Sequence, residues 1–262
     1  MELKKVNLVY FSATNVSKKY AEAMAKALEK ETVTYDFTLP RDRDPAKAPS
    51  FAKDELVILS LPVYGGRIPA VCDEYVNALK GDETPCVVIG TYGNRDFDDA
   101  LVEMEDIMTK NGFKVIGGAA VVGRHSFSDE IAGHRPDEKD LEGAARYIKT
   151  LMAKEPTALE KGVIRGNRPY KERGTAANTM LPSTTDACIG CKLCAKRCPN
   201  GVISMENPKE FAKGAEACLR CNRCVTSCPK KAKVFDSEAY QGMVAMCIAG
   251  FGSPDKENIY FM

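Results

Sequence analysis

The 262-residue sequence is short of several things, and each shortage removes a class of function. It has no excess of one charge: 37 basic residues against 36 acidic ones leave a net +1. The chain as a whole therefore has no electrostatic pull toward nucleic acid or an acidic membrane. No apolar run approaches the roughly eighteen residues of a membrane-spanning helix. The N-terminal MELKKVNLVYFSATN carries a basic pair and a short apolar run but no small-residue cleavage site. It does not read as a signal peptide, and the expectation is a cytoplasmic protein. No G-x-G-x-x-G follows a strand-like segment, which argues against direct use of a nicotinamide cofactor. What remains is 44% hydrophobic, enough for one large domain or two modest ones.

Cysteine is plentiful. There are eleven, too many for chance in a chain that is neither short nor secreted. In a reducing compartment such clustering points to metal ligation rather than disulfides. Eight fall in two repeats, CIGCKLCAKRCP from Cys188 to Pro199 and CLRCNRCVTSCP from Cys218 to Pro229. Each reads C-x2-C-x2-C-x3-C-P. Thiolates are soft ligands suited to iron–sulfur clusters. In two-cluster ferredoxins three cysteines of a repeat hold one cluster and the fourth crosses to the other. This assigns Cys188, Cys191, Cys194 and Cys228 to cluster one, and Cys218, Cys221, Cys224 and Cys198 to cluster two. C-x2-C pairs also serve zinc, but zinc takes its ligands as two pairs, and a triplet plus a remote Cys-Pro, twice over, fits [4Fe–4S] better. Residues 184–236 resemble the bacterial two-cluster ferredoxins. Between Asp186 and Asp236 there are ten basic and five acidic residues. That excess offsets cluster charge, favours the reduced clusters, or forms a docking face for an acidic partner.

Upstream, strand-like and helix-like segments alternate. Apolar runs at Val6–Phe11, Thr32–Phe37, Glu55–Leu61, Pro85–Gly90 and Lys114–Val122 suit buried parallel strands. Helical periodicity covers Val16–Lys30, Ala70–Leu79, Asp96–Asn111 and Asp137–Lys154. Five strands alternating with helices predict an α/β doubly wound parallel sheet. Ligands of such sheets sit at the strands' carboxyl ends. Three loops are placed there: Ser12-Ala-Thr-Asn-Val-Ser17, rich in hydroxyls and opening a helix; Pro62-Val-Tyr-Gly-Gly-Arg-Ile-Pro69; and Thr91-Tyr-Gly-Asn-Arg-Asp-Phe97. The first suits a phosphate. The others pair an aromatic with glycine, which suits a planar ring.

With these loops the region looks like a flavodoxin. Joined to TYGNRDFDDAL, a GRHSFS loop and the cysteine repeats, it resembles the EFR1-type family of flavodoxin–ferredoxin fusion proteins over nearly the whole chain. The resemblance implies FMN as well as two [4Fe–4S] clusters. It places Ser12, Thr14, Asn15, Val16 and Ser17 at the phosphate, and Pro62, Val63, Tyr64 and Gly65 along the isoalloxazine. Thr91, Tyr92, Gly93, Asn94 and Phe97 would lie on its other side. The family's loop usually reads S-G-T-G-N-T; here Ala13 and Asn15 stand in the glycine positions, and asparagine tolerates the left-handed backbone.

Arg67 and His125 are weak candidates for catalysis, as an anion partner and a proton donor beside the flavin; each also reads as an ordinary exposed arginine or structural histidine. His134 reads as a loop residue. Cys72, Cys86 and Cys247 read as packing residues. The division expected is a flavodoxin-like domain over 1–155, a linker over 156–183, a small α+β ferredoxin-like domain over 184–236, and a segment over 237–262 that packs on one of them. The function expected is electron transfer between an external redox partner protein, the two clusters and FMN, in an anaerobic setting. The alternative is an FMN-dependent reductase of a small molecule fed by its own ferredoxin domain.

Overall fold

The computed structural model of the chain describes residues 3–174 and 180–262. Five parallel strands form the central sheet: β1 (Lys5–Tyr10), β2 (Glu31–Asp36), β3 (Glu55–Pro62), β4 (Thr84–Tyr92) and β5 (Phe113–Val122). Their order is β2-β1-β3-β4-β5, the 2-1-3-4-5 order of the flavodoxin-like doubly wound fold. Every residue of β4 is buried, as are nine of the ten in β5. These strands run apolar without alternation because helices cover both faces. The edge strand β2, ETVTYD, has no fully buried residue.

Helices α1 (Val16–Ala27) and α4 (Glu138–Met152) cover one face. Tyr20 and Met24 of α1 and Tyr147, Ile148 and Leu151 of α4 pack there against Val6, Leu8, Ile58 and Ile89. Helices α2 (Asp73–Ala78) and α3 (Ala100–Lys110) cover the other, with Val76, Leu101 and Met104 against Val9, Leu59 and Val88. An aspartate capping box, Asp137 with Asp140, starts α4, as the sequence boundary suggested.

The sheet has a sixth strand beyond the five read from the sequence. Ile259–Phe261, β6, pairs antiparallel with Gly118–Ala120 of β5. Tyr147 Oη donates to Phe261 O at 2.9 Å, and Asn258 Oδ1 accepts the Val122 amide at 2.7 Å. Glycine makes room for these partners: a Cβ at Gly117 would collide with the Tyr147 hydroxyl.

Residues 156–173 lie along the α3 face. Leu159 donates its amide to Val115 O at 2.8 Å, Ile164 is buried, and the Asp99 carboxylate accepts the amides of Asn167 and Lys171. Arg168 pairs with Glu105 and Asp106. The segment is thus a strap bonded to its neighbours, not a free tether.

The cysteine repeats each form a loop and one short helix, α5 (Leu193–Lys196) and α6 (Arg223–Thr226). Ser183–Thr184 and Lys233–Val234 close the unit as an antiparallel pair. Its own buried apolar cluster is small, Cys194, Ala195 and Ile203, with Val202, Ala232 and Phe235 buried nearby, so what the cysteines hold should add much to its stability. Helix α7 (Glu238–Phe251) then leads back to β6. Among the described residues no helix is long and apolar enough to cross a membrane.

Candidate functional site

The loops at the carboxyl ends of β1, β3, β4 and β5 meet around one cleft of about 460 Å³, within the roughly 300–1,000 Å³ range of small-ligand sites. The first loop ends at Asn15, which caps α1 with a left-handed backbone at φ 66°. Ser12 Oγ accepts the Lys18 amide at 3.2 Å. The Ser17 and Thr91 hydroxyls bond at 2.7 Å, and Ser60 Oγ donates to Ser17 O at 3.0 Å. These bonds tie the start of α1 to the first loop, to β3 and to β4. Val16 fits because Gly123 faces it; a Cβ there would overlap its Cγ1.

In the second loop Tyr64 and Arg67 exchange backbone hydrogen bonds across Gly65 and Gly66, both at positive φ. That tight turn needs glycine and leaves Tyr64 at the cleft wall. In the fourth loop His125 Nδ1 accepts the Phe127 amide at 3.1 Å, so a neutral ring carries its proton on Nε2. Burial lowers the His125 pKa to about 4, and the ring is neutral near pH 7. It is therefore a poor proton store.

Of the residues expected at a ligand, Thr14, Val16, Ser17, Pro62, Val63, Tyr64, Gly65, Thr91, Tyr92, Gly93 and His125 line the cleft. Ser12, Asn15, Asn94, Phe97 and Arg67 do not. Ser12 and Asn15 shape the loop from behind. Asn94 instead binds the C-terminal segment: its amide donates to Phe251 O at 2.8 Å and Pro254 O at 3.1 Å, and its Oδ1 accepts the Lys256 amide at 2.7 Å. Phe97 is fully buried under the Arg165 guanidinium, 4.1 Å from the ring centroid. Arg67 is turned away and gripped by both oxygens of the buried Glu103, at 2.7 Å each, and by Lys171 O.

The roof of the cleft escaped the sequence reading. It consists of Cys218, Leu219 and Arg220 from the second cysteine repeat, with Arg173 and Gly174 from the strap. Arg124, Arg173 and Arg220 line the cleft. Arg124 is paired with Asp129 and Arg173 with Asp73 and Glu103, so among the described residues Arg220 is the cleft arginine for which no ion pair is seen. Nothing in the local sequence around Arg173 or Leu219 signals this; their position depends on how the two halves dock.

The eight cysteines ring two cavities. Cys198, Cys218, Cys221 and Cys224 line one; Cys188, Cys191, Cys194 and Cys228 line the other. Each cavity takes three thiols from one repeat and the fourth from the other, the crossed arrangement of two-cluster ferredoxins. Among the described residues no group of three His, Cys, Asp or Glu side chains is placed to hold a single metal ion. A triplet of thiols with a fourth from the other repeat is a donor set that fits a cluster better than zinc, which takes its ligands as two pairs. Val202 and Ala232 amides donate to Cys198 and Cys228 Sγ, each at 3.2 Å. Burial raises the Cys221 thiol to about 12 and raises Cys194, Cys218 and Cys224; the Lys233 ammonium opposes the rise at Cys194 and Cys224. Burial also pushes Cys228 upward, but the amides around it outweigh this and lower it. Cys72, Cys86 and Cys247 line neither cavity.

The two cavities differ in their surroundings. Cys221 packs into the apolar core of the α/β half, beside Tyr64 and Leu219. Arg223 Nη1 donates to Ser12 O at 3.2 Å, Asn222 to Ser126 O at 2.7 Å, and Arg43 to Pro199 O at 3.1 Å. At the other cavity Cys191 is exposed and Ile189 is 63% exposed.

Residues 187–233 match the 4Fe-4S dicluster domain family. No curated protein matches the chain significantly. Among solved structures, a flavodoxin from the domain Archaea is similar at 15% identity over 57% of this chain and 96% of that one, with a TM-score of 0.41. The azoreductase of Bacillus anthracis is similar at 14% identity over 56% and 100%, with a TM-score of 0.42. The fold itself rests on the strand order. The chain thus joins a flavodoxin-like α/β half to a ferredoxin-type 4Fe-4S domain.

Proposed function

We propose that this protein is an electron-transfer iron–sulfur flavoprotein of the EFR1 type, passing electrons between an external redox partner, two [4Fe–4S] clusters and FMN. One observation carries the reading: Cys218, a ligand expected for cluster two, lines the same cleft as Thr14, Ser17, Tyr64 and Tyr92. When bound, the clusters exchange single electrons and the flavin handles one or two. The chain's own residues supply the rest. The amides and hydroxyls of Thr14, Val16 and Ser17 would hold the FMN phosphate at the start of α1. Tyr64 and Tyr92 would be the aromatic neighbours of a ring held there, and Cys218, Leu219 and Arg220 would screen it from water.

Roofing also supports the second reading, a reductase of a small molecule, since the cleft is covered. The cover is the chain's own cluster loop, however, and His125 is a poor proton donor near pH 7. Both features favour the carrier. The exposed cysteine, isoleucine and lysines around Cys191 fit the face where an acidic partner docks.

The test is a count of iron, sulfide and released flavin per chain after anaerobic purification. About eight irons with one FMN supports the relay. About eight irons and no flavin, even after incubation with FMN, leaves the cleft as a scaffold for a ferredoxin and ends the proposal.

A further inference from the structure

Thirty residues separate equivalent positions of the two cysteine repeats, and the backbone keeps the equivalence closely. Gly190 and Arg220, Lys192 and Asn222, and Gly201 and Lys231 are all left-handed pairs. The sulfur-bound amides of Val202 and Ala232 correspond as well. One pair keeps its place and changes its chemistry. Ile203, 3% exposed, matches Lys233, 1% exposed. Ile203 lines the cavity of Cys198, Cys218, Cys221 and Cys224, whereas Lys233 lines that of Cys188, Cys191, Cys194 and Cys228.

A lysine buried so deeply is destabilising unless something offsets its charge. Its Nζ donates to Thr184 Oγ1 at 2.6 Å and lies 5.4 Å from the Phe211 ring centroid. Neither partner is an anion. The lysines that do form ion pairs among the described residues, such as Lys5, Lys114 and Lys171, lie elsewhere. The anions available in the Lys233 cavity are the four thiolates and whatever they bind. An isoleucine fills the matching position in the first repeat, so packing alone does not call for a cation.

We propose that Lys233 is the buried counter-charge of cluster one, holding that cluster at a higher reduction potential than an apolar residue would. The proposal rests on the cluster-binding reading of the two cavities and goes beyond the relay. Each added electron makes the cluster more negative, and a fixed positive charge at short range, shielded from water, favours the reduced form. Arg220 is the cation lining the other cavity, but it is only half-buried, and solvent weakens its field. Lys233 also reaches Cys224 of that cavity, so the second cluster should feel it too, though Lys233 lines only the first.

The test is anaerobic potentiometry with EPR detection on the whole loaded protein, comparing wild type with Lys233→Met and Lys233→Ile. Iron and sulfide are counted first, so a failure of wild type to load two clusters is seen separately and counts against the cluster reading. The expected result is that one midpoint falls by at least a tenfold change in the reduction equilibrium, about 59 mV for one electron, while the other moves less. In a Cys191→Ser background, which disrupts cluster one, the substitution should lose most of its effect. Unmoved midpoints, or two midpoints falling equally, would overturn the proposal. If both variants lose one cluster, Lys233→Arg decides. Recovery of that cluster supports a counter-charge; continued loss makes Lys233 a packing residue and rejects it.

Discussion

The imidazole of His125 lies against Gly93, so close that a Cβ at residue 93 would overlap its Cδ2. The two residues close the cleft from the β4 and β5 loops, and neither has room to move apart because Phe127 and Phe251 pack on the ring, 4.7 and 5.5 Å between centroids. Gly93→Ala should therefore push His125 into the cleft or out of its slot. We expect flavin affinity to fall about tenfold, roughly 1.4 kcal/mol, with iron content unchanged. Flavin fluorescence titration of the anaerobically loaded protein reads this directly; wild-type affinity would show that the contact does not shape the ligand site.

His125 also sets a pH dependence. Burial lowers its pKa from 6.5 to about 4, so the unfolded chain binds a proton in that interval and the folded chain does not. Stability from this group is complete above pH 6.5 and declines as pH falls toward 4. The loss is on the order of 2 kcal/mol for a mostly buried ring. In urea unfolding at pH 5 and pH 7.5, His125→Gln should show a smaller difference between the two pH values than wild type. Equal differences would mean the ring is protonated in the folded protein at pH 5.

Crossed ligation makes a pairing test with cysteine variants. Cys198→Ser and Cys218→Ser ring the same cavity, so each alone and both together should remove about four irons per chain. Cys198→Ser combined with Cys188→Ser touches both cavities and should remove nearly all iron. If Cys198→Ser behaves instead as a partner of Cys188→Ser, the repeats hold their clusters separately.

Glu103 is a buried hub. It is 3% exposed and accepts from Arg67, Arg173 and the Ile68 amide. Glu103→Ala leaves two guanidinium groups without that partner and should cost about 3 kcal/mol, seen as a lower denaturation midpoint. A change under about 0.5 kcal/mol would mark the ion pairs as solvent-screened.

Most of the α/β half was legible because its strands are buried on both faces and its helices are amphipathic, so each element leaves a pattern in its own residues. Tyr20 and Met24, or Val87 and Ile89, announce a core without reference to anything distant. The cysteine spacing was legible for another reason: cluster ligation is local within each repeat, and the crossing ligand is marked by proline. What stayed hidden depends on long-range docking. Nothing about Asn94 says that it grips Phe251 and Pro254 rather than a ring beside it. Arg67 looked available until Glu103, on a helix 36 residues away, was seen to hold it. Ile259–Phe261 is too short for any periodicity, and it is a strand only because β5 offers an open edge.

That last strand changes what kind of object the cysteine unit is. It is not a module hung from the end of a flavodoxin-like domain but a loop of that domain, anchored by the strap on one side and by α7 and β6 on the other. Two tethers confine the Cys218–Arg220 loop near the cleft at an effective concentration that a free carrier in solution does not match. If the protein is the proposed relay, an external iron–sulfur protein of similar affinity would be outcompeted at that face, and exchange with a partner would fall to the outward side near Cys191.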